Sequence, residues 1–303
     1  MEMTSLNMAK KQNEIFKKQN EPVMQQLLVT QHFTYTNAKR WVAILFCVLV
    51  ILPVGINIAL FFSLPNIAVG ILAFLSFILL ALGEFIREHI SNQKKLAATL
   101  QQKFDIYVFD MDTNCVIDEN LIAQQVEKYK NKDWNRKENW YQNYENLDKN
   151  KVVFYCQKEN IDWTGNISKK FCNFVVSIIC ILFITFVANL IINNSSIIKI
   201  LSILITALPL ISYGFSSYKK IKRDNNELLE MDKLAKEINN RIDEISDDEL
   251  RNKINVLQTM IYKFRQSKYL IPDWFESKYH KHLQAIEARK AEQRISKNKK
   301  KKK

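Results

Sequence analysis

Residues 41–83 read WVAILFCVLVILPVGINIALFFSLPNIAVGILAFLSFILLALG, a run of 43 residues without Asp, Glu, Lys or Arg. As one helix this run would measure roughly 64 Å at ~1.5 Å per residue, about twice the ~30 Å hydrocarbon core of a bilayer. The run therefore predicts two membrane spans joined by a turn. Residues that interrupt helices lie where that turn is needed, at Ser63, Leu64, Pro65 and Asn66.

A second run, residues 171–218, contains one charged side chain, Lys199, and has its own turn signal at Asn193, Asn194, Ser195 and Ser196. Soluble cores seldom need helices that are apolar on every side over this length. A cleaved signal peptide is a poor fit, because a mostly polar arm precedes the first run. The two runs predict a mainly α membrane protein with four transmembrane helices in two hairpins.

The distribution of charge predicts the orientation of these spans. The chain has a formal net charge of +13, and both predicted hairpin turns are nearly free of Lys and Arg. Basic residues instead flank the opposite ends, at Lys39, Arg40, Arg87, Lys94, Lys95, Lys169, Lys170, Lys219, Lys220, Lys222 and Arg223. By the positive-inside rule, both termini and the section between the hairpins are cytoplasmic.

This reading divides the chain into six parts. They are a cytosolic N-terminal arm (1–40), hairpin 1 (41–86), a small cytosolic α+β insert (87–170), hairpin 2 (171–218), a helical cytosolic tail (219–296) and a basic disordered end (297–303). The insert is too small for a stable core of its own, so we expect it to pack against the tail or another subunit.

Short patterns predict elements within the cytosolic parts. Residues 106–109 and 152–155 are β-prone runs, and Asp118 can cap a helix. In the tail, Ser246 followed by Glu249 is typical of a capping box that starts a helix. That helix carries an apolar seam at alternating four- and three-residue steps, which favours packing within the chain, with oligomerisation as the alternative: Leu250, Ile254, Leu257, Ile261 and Phe264.

Catalytic and metal-binding patterns are weak. Asp110 and Asp112 follow a β-prone run as in haloacid dehalogenase-type phosphatases, but Asn114 breaks that motif and the insert is too short for the required sheet. His280 and His282 point to different faces of a helix, which disfavours a shared metal. We expect a protein that is not an enzyme and that uses no cofactor or metal.

Polar but uncharged residues occur within the predicted spans. No Asp, Glu or Arg lies deep in a span, which disfavours an ion-coupled transporter. Ser, Thr and Asn can instead join helices or line a pore. The candidates for helix association or a pore lining are Asn57, Asn173, Ser177, Thr185, Asn189, Ser202 and Thr206.

Several cytosolic blocks resemble a known family. The most distinctive is Cys-Gln-Lys-Glu-Asn at 156–160, followed by Trp163, and residues 31–39 before the first span are also similar. Further matching residues are Phe104, Asp105, Val108, Phe109, Trp140, Tyr141, Pro272, Asp273, Trp274 and Phe275. Over about residues 20–280 the chain resembles the SMODS-associated four-transmembrane (S-4TM) effectors of bacteria.

The resemblance implies a function. Such effectors accompany cyclic-oligonucleotide synthases in antiphage (CBASS) operons and respond to the second messenger by disrupting the inner membrane, which ends in abortive infection. It implies an inner-membrane protein, in contact with lipid, that opens or oligomerises on activation and binds no specific nucleic acid. The alternatives are a constitutive channel or transporter subunit, and a membrane-anchored scaffold that conducts nothing.

The insert is where we expect the messenger to bind. Trp140, Tyr141 and Trp163 could stack on a base, and Lys158 with Arg136 or Lys137 could meet phosphates. Asn160, in the same block, is a further candidate; alternatively, Asn160 and Asp162 cap or brace the helix that enters the third span. The alternative reading of the aromatic residues is that they fill the core of the insert.

Overall fold

The computed structural model describes residues 14–60, 62, 64–111, 118–135, 138–142, 144, 147–192 and 197–301, and these are helical throughout apart from their connections, without a strand. A short helical segment at residues 14–19 precedes the first long helix. In chain order the elements are α1 (Pro22–Phe46), a π-helical turn (Cys47–Ile51), α2 (Leu52–Ala59), α3 (Asn66–Phe109), α4 (Glu119–Tyr129), α5 (Lys149–Ile192), α6 (Ile197–Arg241), α7 (Asp247–Ser267) and α8 (Asp273–Lys301).

The two segments predicted as strands are helical. Residues 106–109 form the last turn of α3, and residues 152–155 lie in the first turns of α5. Their apolar side chains, including Phe109 and Phe154, are buried against other helices, so tertiary packing decides their conformation. The α+β prediction for the insert is therefore wrong for these segments.

Within the described residues, three helical stretches are long and apolar enough to cross a membrane: Pro22–Ala59, Asn66–Phe109 and Ile200–Arg241. Their apolar side chains face outward as a lipid-facing surface requires; Ile67 is 80% exposed and Phe74 67%. The predicted turn is confirmed at Pro65 and Asn66, because α3 begins at Asn66 directly after Pro65, and Ser63 lies outside the described residues. The second predicted turn, 193–196, and several side chains of the span before it lie outside the described residues, so the count of four spans stays a prediction.

The first span contains the π-helical turn just before Pro53. Proline has no backbone N–H to donate, and the extra residue of a π turn accommodates such a break in the helical bonding. Here the N–H of Leu52 reaches back to the carbonyl of Cys47. The turn presses Leu49 against Gly83 of α3 so closely that a Cβ on Gly83 would lie 2.8 Å from Leu49 Cδ2. The first hairpin is thus packed around a glycine.

Outside the predicted spans, the arm, the insert and the tail share one hydrophobic core. Its centre comes from five helices, with fully buried Leu28, Phe104, Phe154, Met231 and Leu257. This arrangement confirms that the insert packs against the tail. All five seam residues of α7 are buried within the chain. Both predicted caps are confirmed, because the side chain of Asp118 accepts from the N–H of Leu121 and that of Ser246 from Glu249.

A five-residue linker, residues 268–272, joins α7 to α8. The Nζ of Lys94 donates to the carbonyls of Ser267 and Lys268 at 2.8 and 2.9 Å. The N–H of Tyr269 donates to the Asp224 carboxylate. The hydroxyl of Tyr269 lies 3.1 Å from that of Tyr213 on α6. The linker is therefore bonded to both α3 and α6.

Candidate functional site

A cavity of about 780 Å³ lies among the helices outside the predicted membrane spans and is bordered on one side by the linker. We call it the cytosolic cavity, after the orientation that the charge distribution predicts. Residues of α1, α3, α5, α6, α7, α8 and the connection between α4 and α5 all contribute to its wall. Its volume falls within the range of about 300–1,000 Å³ that is usual for small-molecule sites.

Four of the residues predicted to bind a messenger line this cavity: Trp140, Tyr141, Asn160 and Trp163. Lys158 does not; its ammonium lies 3.2 Å from Asp162 and 3.7 Å from Asp232. Arg136 and Lys137 lie outside the described residues. The structure therefore brings the aromatic part of the predicted site together, whereas it places the predicted phosphate-binding Lys158 in ion pairs elsewhere.

Aromatic rings form part of the cavity wall. His32 stacks on Trp134 with ring centroids 4.2 Å apart, and Trp140 packs at 5.7 Å from Trp134. Trp163 meets His280 edge to face at 5.2 Å. Asn160 is inside α5, where its amide donates to the Tyr141 hydroxyl at 3.1 Å, so it does not cap that helix.

Three polar groups on the cavity wall are buried and make no hydrogen bond to any described residue. They are the Oε1 of Gln31, the hydroxyl of Tyr35 and the Nδ1 of His280. A buried polar group without a partner costs about 1–3 kcal/mol. Burial also raises the pKa of the Tyr35 hydroxyl, so it stays a neutral donor. Groups of this kind that line one cavity are suited to hydrogen-bonding a ligand.

Two cations of α7 and the linker reach the cavity. Lys268 is the freer one: its ammonium lies 5.2 Å from the centre of the Tyr35 ring and forms no ion pair with the described residues. Burial and the neighbouring Arg265 lower the pKa of Lys268 to about 8. Arg265 is itself buried and paired with Asp105. An anionic group entering the cavity would meet a lysine that lacks a counter-ion.

Most of the acidic residues on the wall are bound to a hydrogen-bond donor or a cation. Lys39 holds Asp273 and Glu276, its Nζ lying 2.5 and 3.1 Å from their oxygens. Asp224 is occupied by the linker amide of Tyr269. Burial raises the pKa of the Glu159 carboxyl to about 7, although the hydrogen bond from the Gln142 N–H partly opposes this. The cavity can thus accept an anion best when Glu159 is protonated.

A buried hydrogen-bond network supports the wall from behind. The Oδ1 of Asp105 accepts from the Tyr141 hydroxyl at 2.6 Å, and its Oδ2 accepts from Gln258 at 3.0 Å and from Arg265 at 2.5 Å. Gln157 extends this hydrogen-bond network by donating to Gln258 at 3.0 Å. The network therefore ties α3, α5 and α7 together and fixes the two wall residues Tyr141 and Arg265.

The residues predicted for helix association or a pore divide into two groups. Asn57, Ser202 and Thr206 are buried within the chain, and the Thr206 hydroxyl donates to the Ile203 carbonyl at 2.8 Å. Asn173 and Ser177 face outward from the chain. The side chains of Thr185 and Asn189 lie outside the described residues. Among the described residues, the buried group of Asn57, Ser202 and Thr206 therefore lies where helices contact one another.

Two cationic residues of the cavity, Arg265 and Lys268, were not predicted from the sequence, although their spacing could have identified them. Arg265 and Lys268 lie four residues after Ile261 and Phe264, so they continue the apolar seam of α7 into the interior. A charged residue on a buried seam needs a partner or a ligand. Gln31 and Tyr35 lie one helical turn apart on α1, but only the folded structure shows that they face this cavity.

Comparison with known proteins gives two matches. Residues 13–293 match the family model of the SMODS-associating 4TM effector domain, which is most of the chain. A probable CBASS effector molecule of Bacillus cereus (strain VD146) is 24% identical over 272 residues, which span 86% of this chain and 91% of that protein. No solved structure matches the chain.

Proposed function

The chain belongs to the SMODS-associating 4TM effector family, and from that premise we propose that it is a membrane effector of CBASS antiphage defence, activated by a cyclic oligonucleotide. Activation would permeabilise the cell membrane and end in abortive infection. The observation that carries this proposal is the cytosolic cavity, where the unpartnered groups of Gln31, Tyr35 and His280 meet an aromatic wall and Lys268.

Each part of the cavity suits one part of such a messenger. Bases would stack on Trp140 or Trp163, a contact worth about 1–3 kcal/mol per base. Phosphates would contact Lys268, and the amide of Gln31 and the Tyr35 hydroxyl would bond base edges or ribose hydroxyls. Binding would thus satisfy polar groups that the protein alone leaves without partners.

The linker supplies a route from the cavity to the spans. Lys268 lines the cavity, and the next residue, Tyr269, contacts Tyr213 of α6 and the ring of Phe171 of α5, with ring centroids 5.6 Å apart in the latter pair. A ligand that binds one position of Lys268 more tightly would favour the matching position of Tyr269. We propose that this displaces α5 and α6 and opens the membrane helices, in a homo-oligomer.

Leakage of dye from liposomes containing the full chain tests this function, with a panel of cyclic di- and trinucleotides. We expect leakage with one nucleotide for the wild type and for Lys263→Met, a control that removes an exposed lysine of α7 five residues before Lys268. Lys268→Met should need at least about tenfold more nucleotide, a loss of about 1.4 kcal/mol. Trp163→Leu should weaken the response similarly.

Other outcomes would overturn the proposal. Equal leakage with and without nucleotides indicates a constitutive channel. No leakage together with no nucleotide binding by the folded protein indicates a scaffold. If Lys268→Met and Lys263→Met respond alike, the messenger does not bind in the cytosolic cavity.

A further inference from the structure

A second cavity, of about 1090 Å³, opens between the predicted membrane spans. We call it the membrane cleft. Its walls come from residues 42–50 of α1 and the π-helical turn, residues 171–187 of α5 and residues 204–218 of α6. Its cytosolic mouth is formed by Lys39 and Arg40 together with the end of the linker and Trp274.

The depth of the cleft matches one leaflet of a bilayer. From Arg40 to Val50 the α1 wall rises by about 15 Å at ~1.5 Å per residue, half of the ~30 Å hydrocarbon core. The longer α5 wall, residues 171–187, rises by about 24 Å and passes the midplane. The three walls therefore enclose the cleft together over the leaflet on the side of the cytosolic helices, and the α5 wall continues beyond the middle of the membrane.

Hydrocarbon suits this cleft better than water does. Its walls below the mouth carry Phe46, Phe174, Phe183 and Leu204 and no charged side chain among the described residues. A buried water needs about two to four polar partners, which such walls do not provide. An acyl chain would meet apolar atoms along its whole length.

The mouth adds a positive charge at the depth of lipid headgroups. Lys39 is neutralised by Asp273 and Glu276, whereas the exposed Arg40 makes no ion pair with the described residues. Tyr218 also lines the cleft, and a tyrosine at a membrane surface keeps its ring in the apolar layer and its hydroxyl in water. The Arg40 guanidinium at the mouth could bind the phosphate of a phospholipid whose acyl chain occupies the apolar cleft.

We propose that the membrane cleft binds one anionic phospholipid of the cytosolic leaflet, with an acyl chain between α1, α5 and α6 and its phosphate against Arg40. The guanidinium can form two parallel hydrogen bonds to a phosphate, which a lysine cannot. This site differs from the general lipid contact of the outward-facing side chains, because its walls enclose the acyl chain on three sides.

Native mass spectrometry of the full chain in detergent tests the site, with added phosphatidylglycerol, phosphatidylcholine or inorganic phosphate. Ala43→Trp places a large ring on the cleft wall, and Ala81→Trp places it on an exposed position of α3 outside the cleft. We expect one tightly held phosphatidylglycerol on the wild type and Ala81→Trp, and about tenfold less on Ala43→Trp. Cys180→Trp, from the α5 wall, should repeat this loss.

The headgroup is tested separately. Arg40→Gln should reduce the preference for phosphatidylglycerol over phosphatidylcholine, whereas Lys222→Gln, which removes an exposed charge on α6 outside the cleft, should retain it. Equal lipid retention by folded Ala43→Trp, Cys180→Trp and Ala81→Trp would overturn the proposal. So would an adduct of inorganic phosphate alone, or loss of a protein dimer in place of a lipid adduct, which would indicate a second copy covering the cleft.

Discussion

Arg265 Nη1 lies 2.5 Å from Asp105 Oδ2, and this ion pair joins α7 to α3 in the interior of the helices outside the predicted spans. Asp105 is fully buried, and its other oxygen accepts from Tyr141. Burial opposes ionisation of Arg265, but the carboxylate outweighs that effect and raises the pKa of the guanidinium. The positions of Tyr141 and Arg265 on the cavity wall thus depend on the buried Asp105 carboxylate.

Asp105→Asn should destabilise the protein strongly, because it leaves the Arg265 charge buried without a counter-ion. Breaking a buried pair in this way costs about 3–5 kcal/mol. Lys233→Ala is the control, because it removes one partner of the exposed pair Lys233–Glu230, which is worth about 0–1 kcal/mol. Thermal unfolding in detergent, followed by circular dichroism, should show a much larger loss for Asp105→Asn. Similar losses would contradict the structural role of the pair.

Binding of an anionic ligand in the cytosolic cavity should weaken as pH rises from about 6 to about 9. The Glu159 carboxyl, with its pKa raised to about 7, becomes negative over this range, and Lys268, with its pKa lowered to about 8, loses its charge. Both changes weaken the binding of an anionic ligand in the cavity. A charge-assisted contact to Lys268 is worth about 1.5–3 kcal/mol, so its loss should reduce affinity about tenfold or more. Repulsion by the ionised Glu159 should reduce affinity in a separate step at lower pH.

Two substitutions separate these steps. Glu159→Gln should remove the step near pH 7, and Lys268→Arg, whose guanidinium stays charged throughout, should remove the step near pH 8. Isothermal titration calorimetry with the nucleotide found by the leakage screen measures both. An affinity that does not change with pH in the wild type would show that neither group faces the ligand.

Lys94→Met should loosen the linker, because the two carbonyls that accept from the Lys94 amine lose their donor. An unpartnered buried group costs about 1–3 kcal/mol. Hydrogen exchange followed by mass spectrometry should show faster exchange in peptides covering residues 268–272. Lys95→Met, at an exposed neighbouring position, should leave that exchange unchanged.

The same substitution should change the pH dependence of stability. Burial, together with Lys220, lowers the pKa of Lys94 to about 6. Between this value and the usual ~10.4 of a lysine, the unfolded chain binds the proton and the folded chain does not, so stability falls as pH falls through that range. Lys94→Met should remove this component of the slope, and an unaltered slope would contradict the lowered pKa.

Local chemistry in the sequence was enough to predict where three of the helices begin. Pro65 and Asn66 interrupt the first apolar run, and Asp118 and Ser246 have the side chains that cap helices. The β-prone runs at 106–109 and 152–155 failed as predictions because short apolar segments fit a buried helix as well as a strand. Packing against helices distant in sequence decided between the two.

The site was predictable only in part for a related reason. The aromatic residues Trp140 and Trp163 stand out in the sequence, but a lysine gives no sign of which carboxylates it will meet. Lys158 lies in the most distinctive block and is bound by Asp162 and Asp232, whereas Lys268 meets the cavity because the linker turns it inward. Pairings between elements distant in the chain exist only in the fold.

Gly83→Ala should disturb the first hairpin, although alanine is the better helix former by about 1 kcal/mol. A Cβ at this position would lie 2.8 Å from Leu49, whose side chain is fully buried and has little room to move. Gly70→Ala is the matched control on the same helix, because a Cβ there meets nothing within 4 Å. Thermal unfolding in detergent should show Gly83→Ala less stable than the wild type and Gly70→Ala equal to it or more stable. Equal melting of the two variants would contradict the close contact between the π-helical turn and α3, because helix propensity favours both substitutions equally and only packing distinguishes them.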